Sequence, residues 1–465
     1  MPLMALAAVL GQGAGPAIKN QPAVPLLAEH LRPRFHFTAP RGWLNDPNGL
    51  VYYAGEYHLF YQHNPQGTNW VNDLSWGHAV SKDLLHWRHL PDVLPPLPIP
   101  GQSARAGSWS GSGLVDWNNT AGFQNGPEKP IVLAWTATGL GQCIAYSNDR
   151  GRTFTAYAGN PVLPQRPPKT DDWDRDPKVY WHAPTKRWTM ALSVTGEGVR
   201  FYSSPDLKSW QYESTVPGLW ECPDYYELPV DGKADNKKWV LQDASGKYFL
   251  GRFDGKRFQR DSGPFRLDHG RNYYAAQTWN DLPAAGRRIG IAWMRDGKFP
   301  GMPFNQQMGI PSVLSLRTLP EGIRLTKMPV KEVEALRQGK KSWAPAMIKE
   351  SFDLDGFHGD AFDLLFIFEP GGATDVLLQV GSEAVRWHEA TLSYGESSVP
   401  LAPVAGRIDL RVLVDRTSVE IYANGGAASL TSARVSPGDA RVSIATAGGS
   451  IKVLTLSAFH LRSVW

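Results

Sequence analysis

Cysteine is nearly missing from this chain. Two occur in 465 residues, Cys143 and Cys222, which excludes a disulfide framework and a cysteine-rich zinc protein. The 12 histidines, among them His58, His63 and His78, show no HExxH or comparable ligand spacing, so neither a metal nor any other cofactor is expected. Long apolar runs are missing too. The N-terminal stretch MPLMALAAVLGQGAGPAIKNQ holds roughly ten apolar residues where a bilayer needs about 20, so no membrane span is expected. Small residues follow it as at the end of an export signal, without a basic leader; a secreted or periplasmic protein is the expectation, a cytoplasmic one the alternative. With 48 basic and 44 acidic residues the net charge is only +4, and no like-charge run exists to meet nucleic acid or an anionic membrane. Convincing amphipathic helices are absent between about residues 35 and 325.

What the chain has is aromatic rings. Its 18 tryptophans include Trp43 in RGWLNDPNGLVYYAGEYHLFYQHNP, residues 41–65, where Asp46 sits between an asparagine and a proline and a run of rings follows. Many tryptophans serve as core. Flat rings beside hydrogen-bonding side chains also suit a neutral sugar, whose faces are apolar and whose rim is hydroxyl.

The length predicts two domains. Short β-rich runs such as GLVYYAGEYHLFYQ, PIVLAWTAT, RWTMALSV, KWVLQDAS and RIGIAWMR fill the first part, separated by Gly, Pro, Asn and Asp. A Ser-x-Asp element followed by an aromatic recurs in SKDLLHW, SNDRGRTF and SPDLKSW, at a spacing of roughly 60 residues, which suggests propeller blades. In any β protein the same element caps hairpin turns. The expected architecture is all-β: a five-bladed β-propeller over 30–328, a linker with a short helix over 329–344, carried by PVKEVEALRQGKK, and a β-sandwich over 345–465.

Three acids stand out by setting: Asp46 in WLNDPNG, Asp176 in DWDRDPKVYW and Glu221 in LWECPDYYEL. Proline follows each aspartate directly and restricts its backbone, as a positioned catalytic group requires. Blades of a propeller converge on one axis, so acids remote in sequence can share a funnel. Paired carboxylates in an aromatic site are what glycoside hydrolysis needs. Taken singly, each has a structural alternative as a turn, a salt-bridged corner or a strand end.

WLNDPNG, FYQHNPQGTNWVNDLSWGHAVSKDLLHW, WSGSGL, RDPKVYW, WECPDYYELPV, IAWM and DRTSVEIYANGG, in this order, resemble the motifs of glycoside hydrolase family 32, the β-fructofuranosidases that include invertases, levanases and inulinases. The resemblance runs from about residue 35 to the C-terminus. It implies a propeller followed by a sandwich and a retaining mechanism on terminal β-fructosyl units of fructan or sucrose. It further implies Asp46 as nucleophile, Glu221 as general acid and then base, and Asp176 as the acid that holds sugar hydroxyls. Asn45, Gln62, Trp70, Ser110, Arg175 and Trp293 match sugar-binding positions, and Cys222 matches a cysteine that modulates the glutamate without reacting. Trp109, Tyr225 and Tyr226 depart from the pattern and are expected at the pocket mouth. Retention predicts carboxyl groups of Asp46 and Glu221 roughly 5 to 5.5 Å apart. Arg175 is expected to keep Asp176 charged, and Trp220 with nearby negative charge to favour the proton on Glu221. The alternatives are a fructosyltransferase with the same acids and a non-catalytic fructan-binding protein.

Overall fold

The computed structural model describes residues 9–10, 27–166, 174–283, 286–434 and 438–465. The apolar N-terminal stretch falls outside them except for Val9 and Leu10. Four-stranded antiparallel meanders follow one another. The first is Gly42–Tyr53, Glu56–Asn64, Ser75–Ser81 and Trp87–Val93; the second is Ser108–Val115, Ile131–Ala137, Gly141–Ser147 and Phe154–Ala156. The third is Arg175–His182, Arg187–Val194, Gly198–Ser204 and Gln211–Val216; the fourth is Asp224–Val230, Lys233–Gln242, Lys247–Phe253 and Phe258–Arg266. The fifth is Tyr273–Thr278, Arg288–Met294, Ser312–Leu319 and Gly322–Pro329, and a parallel bridge from Val230 to Leu316 joins it to the fourth. Phe304–Asn305, inserted in the fifth unit, pairs in parallel with Gly42 and Trp43 of the first and closes the ring.

This is a five-bladed propeller. The first strand of each blade is innermost, which is why Gly42–Tyr53 and Ser108–Val115 are buried almost throughout while the outer strand Trp87–Val93 is largely wet. Rings wedge the blades apart. Phe60, Trp76, Trp135 and Phe154 fill one gap, and Phe201, Tyr225, Trp239 and Phe253 another, so much of the tryptophan content is core.

Both readings of the Ser-x-Asp element hold together. Ser81 and Asp83, Ser147 and Asp149, and Ser204 and Asp206 each sit at the turn into the outer strand of successive blades. In every copy the serine hydroxyl donates to the aspartate, whose Oδ1 accepts backbone N–H groups beyond it. The fourth blade has the aspartate alone: Asp254 accepts from the amides of Lys256 and Arg257, with Arg252 where serine would stand.

The second domain packs two sheets face to face. One contains Phe362–Glu369, Ile408–Asp415, Ser418–Ala423, Ala428–Ala433 and Ile451–Leu461; the other contains Ser351–Gly359, Asp375–Val380, Glu383–His388, Thr391–Tyr394, Ser397–Pro400 and Ala440–Ala447. Their inner faces share one apolar core that includes Phe362, Leu364, Phe366, Val376, Val412 and Ile444. The segment expected as a linker is more ordered than that. Lys331–Leu336 is a 3-10 helix, but Arg337–Trp343 is an edge strand paired with Ile451–Leu461. Its polar composition concealed it, because an edge strand buries little and here docks partly through Arg337 onto Asp363.

The DRTSVEIYANGG block cements the two domains. Asp415 Oδ2 and Glu420 Oε2 clamp the two ring nitrogens of the fully buried His36 at 2.8 and 3.1 Å, and Thr417 donates to Gln307 of the propeller.

Candidate active site

The innermost strands are irregular where the acids sit. Register slips between Leu44 and Pro47, between Ser108 and Gly111, between Arg175 and Lys178, and between Tyr274 and Gln277. A β-bulge re-aims side chains out of the pleat, and these four bulges bracket Asp46, Ser110, Asp176 and Ala275. Asp176 (φ 64°), Cys222 (φ 47°) and Ala275 (φ 50°) occupy the left-handed region that costs a side-chain-bearing residue of order 1 kcal/mol or more. Glu221 lies in the short loop that leads into the fourth blade.

Asp46 is held from both sides. Ser110 Oγ donates to its Oδ2 at 2.5 Å and Asn45 Nδ2 to its Oδ1 at 3.1 Å. Behind them the bonds close on themselves: Trp43 Nε1 donates to Asn45 Oδ1 (2.8 Å), Asn45 Nδ2 to Gln62 Oε1 (2.6 Å), and Gln62 Nε2 to Ser110 Oγ (2.7 Å). Three residues expected to bind sugar, Asn45, Gln62 and Ser110, thus orient this carboxylate. Proline 47 and the bulge fix its backbone, and the network fixes its side chain.

The acids meet through Cys222. Its thiol lies 3.4 Å from Asp46 Oδ2 and 3.6 Å from Asp176 Oδ2, and its amide donates to the same Asp176 oxygen at 3.0 Å. Carboxylates 130 residues apart in sequence are therefore separated by one sulfur atom. Burial and the two neighbouring carboxylates push the thiol well above its ordinary range, so it is a donor here and not a nucleophile. Arg175 links the third acid: its Nη2 donates to Glu221 Oε1 at 2.7 Å, while its Nε stands 3.9 Å from Asp176 Oδ2.

The electrostatics differ from the expectation. Burial pushes Asp176 up to about 7, because the Arg175 guanidinium offsets only part of the desolvation and the nearby Glu221 and Asp46 carboxylates add to it. Burial also raises Asp46, opposed by the Ser110 and Asn45 donors. Trp220 is 42 % exposed, and its ring lies against the Arg175 guanidinium. The partner that sequence reasoning missed is Tyr274, whose hydroxyl donates to Glu221 Oε2 at 2.6 Å. Nothing in GRNYYAAQTW distinguishes Tyr274 from Tyr273, which lies against Lys327 near the domain interface.

Trp293 is almost buried; its indole donates to Gln306, and its ring stands edge-on to Trp43 and Tyr274, forming one aromatic wall of the site. Trp70 is 48 % exposed and packs edge-on against Trp109, so this pair forms a rim. Tyr225 and Tyr226 were expected at the mouth and are instead fully buried, their hydroxyls donating to Thr189 O and Gln242 Oε1. Alternation explains it: Asp224 begins a strand, and both rings fill gaps between blades.

Residues 36–329 match the model of the glycosyl hydrolases family 32 N-terminal domain, and residues 381–460 match that of the family 32 C-terminal domain. The chain belongs to glycosyl hydrolase family 32. A levanase of Bacillus subtilis is 39 % identical over 94 % of this chain and 71 % of its own length. An extracellular exo-inulinase of Aspergillus awamori is 30 % identical over 93 % of this chain and 95 % of its own. The crystal structure of exo-inulinase from A. awamori superposes with a TM-score of 0.83, covering 94 % of this chain and all of that one at 28 % identity.

Proposed function

We propose that this family 32 glycosidase hydrolyses fructan and sucrose by a retaining double displacement that removes terminal β-fructosyl units. The contact that carries the reading is the Cys222 thiol set between Asp46 and Asp176, with Glu221 tied to the same cluster through Arg175. Asp46 attacks the anomeric carbon; the bond to the leaving oxygen breaks, and Glu221 gives that oxygen its proton. Glu221, now a carboxylate, takes a proton from water, and the water oxygen displaces Asp46 from the sugar. Asp176 accepts hydrogen bonds from ring hydroxyls and, as an anion beside the oxocarbenium-like carbon, stabilises the transition state. Sugar hydroxyls that donate to a buried carboxylate favour its charged form, so substrate itself supplies what Arg175 leaves short.

The aromatic wall of Trp43, Trp293 and Tyr274 bounds the fructosyl subsite, and the Trp70 and Trp109 rim meets the sugar beyond it. Arg175 holds Glu221 in place, while Asn45, Gln62 and Ser110 hold Asp46 and offer their remaining valences to the sugar. The levanase and exo-inulinase relatives support fructan as substrate, and the extracellular inulinase supports export. Among the described residues no helix is long and apolar enough to cross a membrane.

Initial rates on levan, inulin and sucrose, measured side by side for the parent and Asp46→Asn, test the reading. Fructose release by the parent that collapses in Asp46→Asn is expected; equal release by both contradicts it. Chain-lengthened products from concentrated sucrose, in place of free fructose, mark a transferase.

A further inference from the structure

The innermost strands run on past the acids to the opposite mouth of the propeller. From Ser110 to Leu114, or from Asp176 to Tyr180, is four residues, about 13 Å at roughly 3.3 Å each. There the strands open on a second cavity of about 420 Å³, within the usual range of small-molecule sites. Its walls include Trp117, Tyr180 and Trp181, and its floor Asn280, Asp281 and Arg288.

One ring is presented, while Tyr180 and Trp181 are half-buried against the cores between blades. Trp117 is 50 % exposed, and its indole N–H is anchored by Asp281 Oδ1 at 2.8 Å, with the other carboxylate oxygen accepting from the Val115 amide. Trp181 is braced edge-on by Trp188. The floor is polar. Asn280 is 95 % buried by its 5 % exposure and donates to Gly113 O and Val179 O, yet its Oδ1 accepts from nothing among the described residues. Left so, a buried acceptor costs about 1–3 kcal/mol.

Charge selects the ligand class. Arg287 is held by both oxygens of Glu332, Glu227 by Lys237, and Arg288 lies within the field of Asp281. Among the described lining residues the two acids, Glu227 and Asp281, balance the two arginines. Flat rings over a hydrogen-bonding floor without net charge fit a neutral sugar.

We infer that this far mouth of the propeller is a second, non-catalytic saccharide site that holds another stretch of the fructan chain. The substrate class rests on the function proposed above; the site rests on the cavity, the presented ring of Trp117 and the balanced charge of the polar lining. Anchoring a polymer there raises its concentration at the acids on the other face, without touching any residue that handles a small substrate.

The test uses the full chain in native gels containing levan, inulin or dextran. Asp46→Asn serves as parent so that the polymer survives, and fructose is added to occupy the catalytic pocket. Retardation by levan or inulin that is lost in the added variant Trp117→Ala and kept in Trp117→Phe is expected. In the active enzyme, Trp117→Ala should raise KM on levan several-fold and leave kcat and KM on sucrose unchanged. Equal retardation with and without Trp117→Ala overturns the inference, as does retardation by dextran alone. Should the active enzyme release no fructose from any substrate, the failure lies with the proposed function, since binding in the gels reads the far site independently.

Discussion

The inner strands of the propeller and the central strands of the sandwich are both buried β-structure, yet they are built differently. In the sandwich, Phe362–Glu369 pairs with Ile408–Asp415, and Ile408–Asp415 with Ser418–Ala423, without a register shift, and the slip against Ile451–Leu461 falls near the strand end, between Ile367 and Phe368. In the propeller the inner strands slip at Asp46, Ser110, Asp176 and Ala275, and two of these, Asp176 and Ala275, hold positive φ. The regular ladders bury apolar side chains. The broken ones surrender hydrogen bonds and backbone comfort to aim carboxylates at one another, with the surrounding blades supplying the constraint.

Substitutions at the two places should therefore fail in different currencies. Asp46→Asn should lower kcat on sucrose by about 10⁴-fold or more with little change in Tm, because it removes the group that bonds to carbon. Steady-state kinetics beside a melting curve checks this. Leu364→Ala, in the sandwich core, should do the reverse: a loss of about 2–5 kcal/mol in stability, read by denaturant unfolding, with kcat per folded molecule unchanged. A large drop in kcat there would erase the contrast.

His36 sharpens it at the seam. Asp415 and Glu420 outweigh its burial and raise it to about 9 from its ordinary 6.5. A raised folded value stabilises the protein fully below about 6.5, and the benefit is lost as pH rises through about 9. The difference, some 2.5 units, corresponds to about 3 kcal/mol. The parent should lose that stability between those pH values, and His36→Gln should show a flatter profile; parallel profiles contradict the clamp.

A smaller effect is expected from Tyr274→Phe, on the order of tenfold in kcat by steady-state kinetics, since the hydroxyl donates to Glu221 and holds it in place. For the parent, the acid limb of kcat/KM reflects an empty cluster in which Asp176 loses its charge as pH falls through about 7. The limb of kcat should lie lower, because bound sugar hydroxyls favour the anion. Coincident limbs would show that substrate does not tune the cluster.

How much of this could be read from the chain varies with the physics involved. The propeller was legible because the Ser-x-Asp turn repeats from blade to blade, and the acids because proline stiffens Asp46 and Asp176. The fourth blade's turn was obscured by Arg252 in place of serine, and the edge strand Arg337–Trp343 by its polarity. Tyr274 was invisible: a tyrosine that donates to Glu221 and one that packs beside Lys327 are neighbours in sequence and differ only through a bulge. Tyr225 and Tyr226 are near Glu221 in sequence and far from the pocket mouth in space, because a strand beginning at Asp224 carries both into the core.

The central claim is that Asp46 forms a bond to the sugar. Glu221→Gln, given a fructoside whose leaving group departs without a proton, should complete the first displacement and stall before water attacks. Mass spectrometry of the quenched, digested protein should then find a fructosyl unit on the peptide that carries Asp46. A fructosyl group on any other residue, or fructose released with inversion and no adduct, would contradict the account.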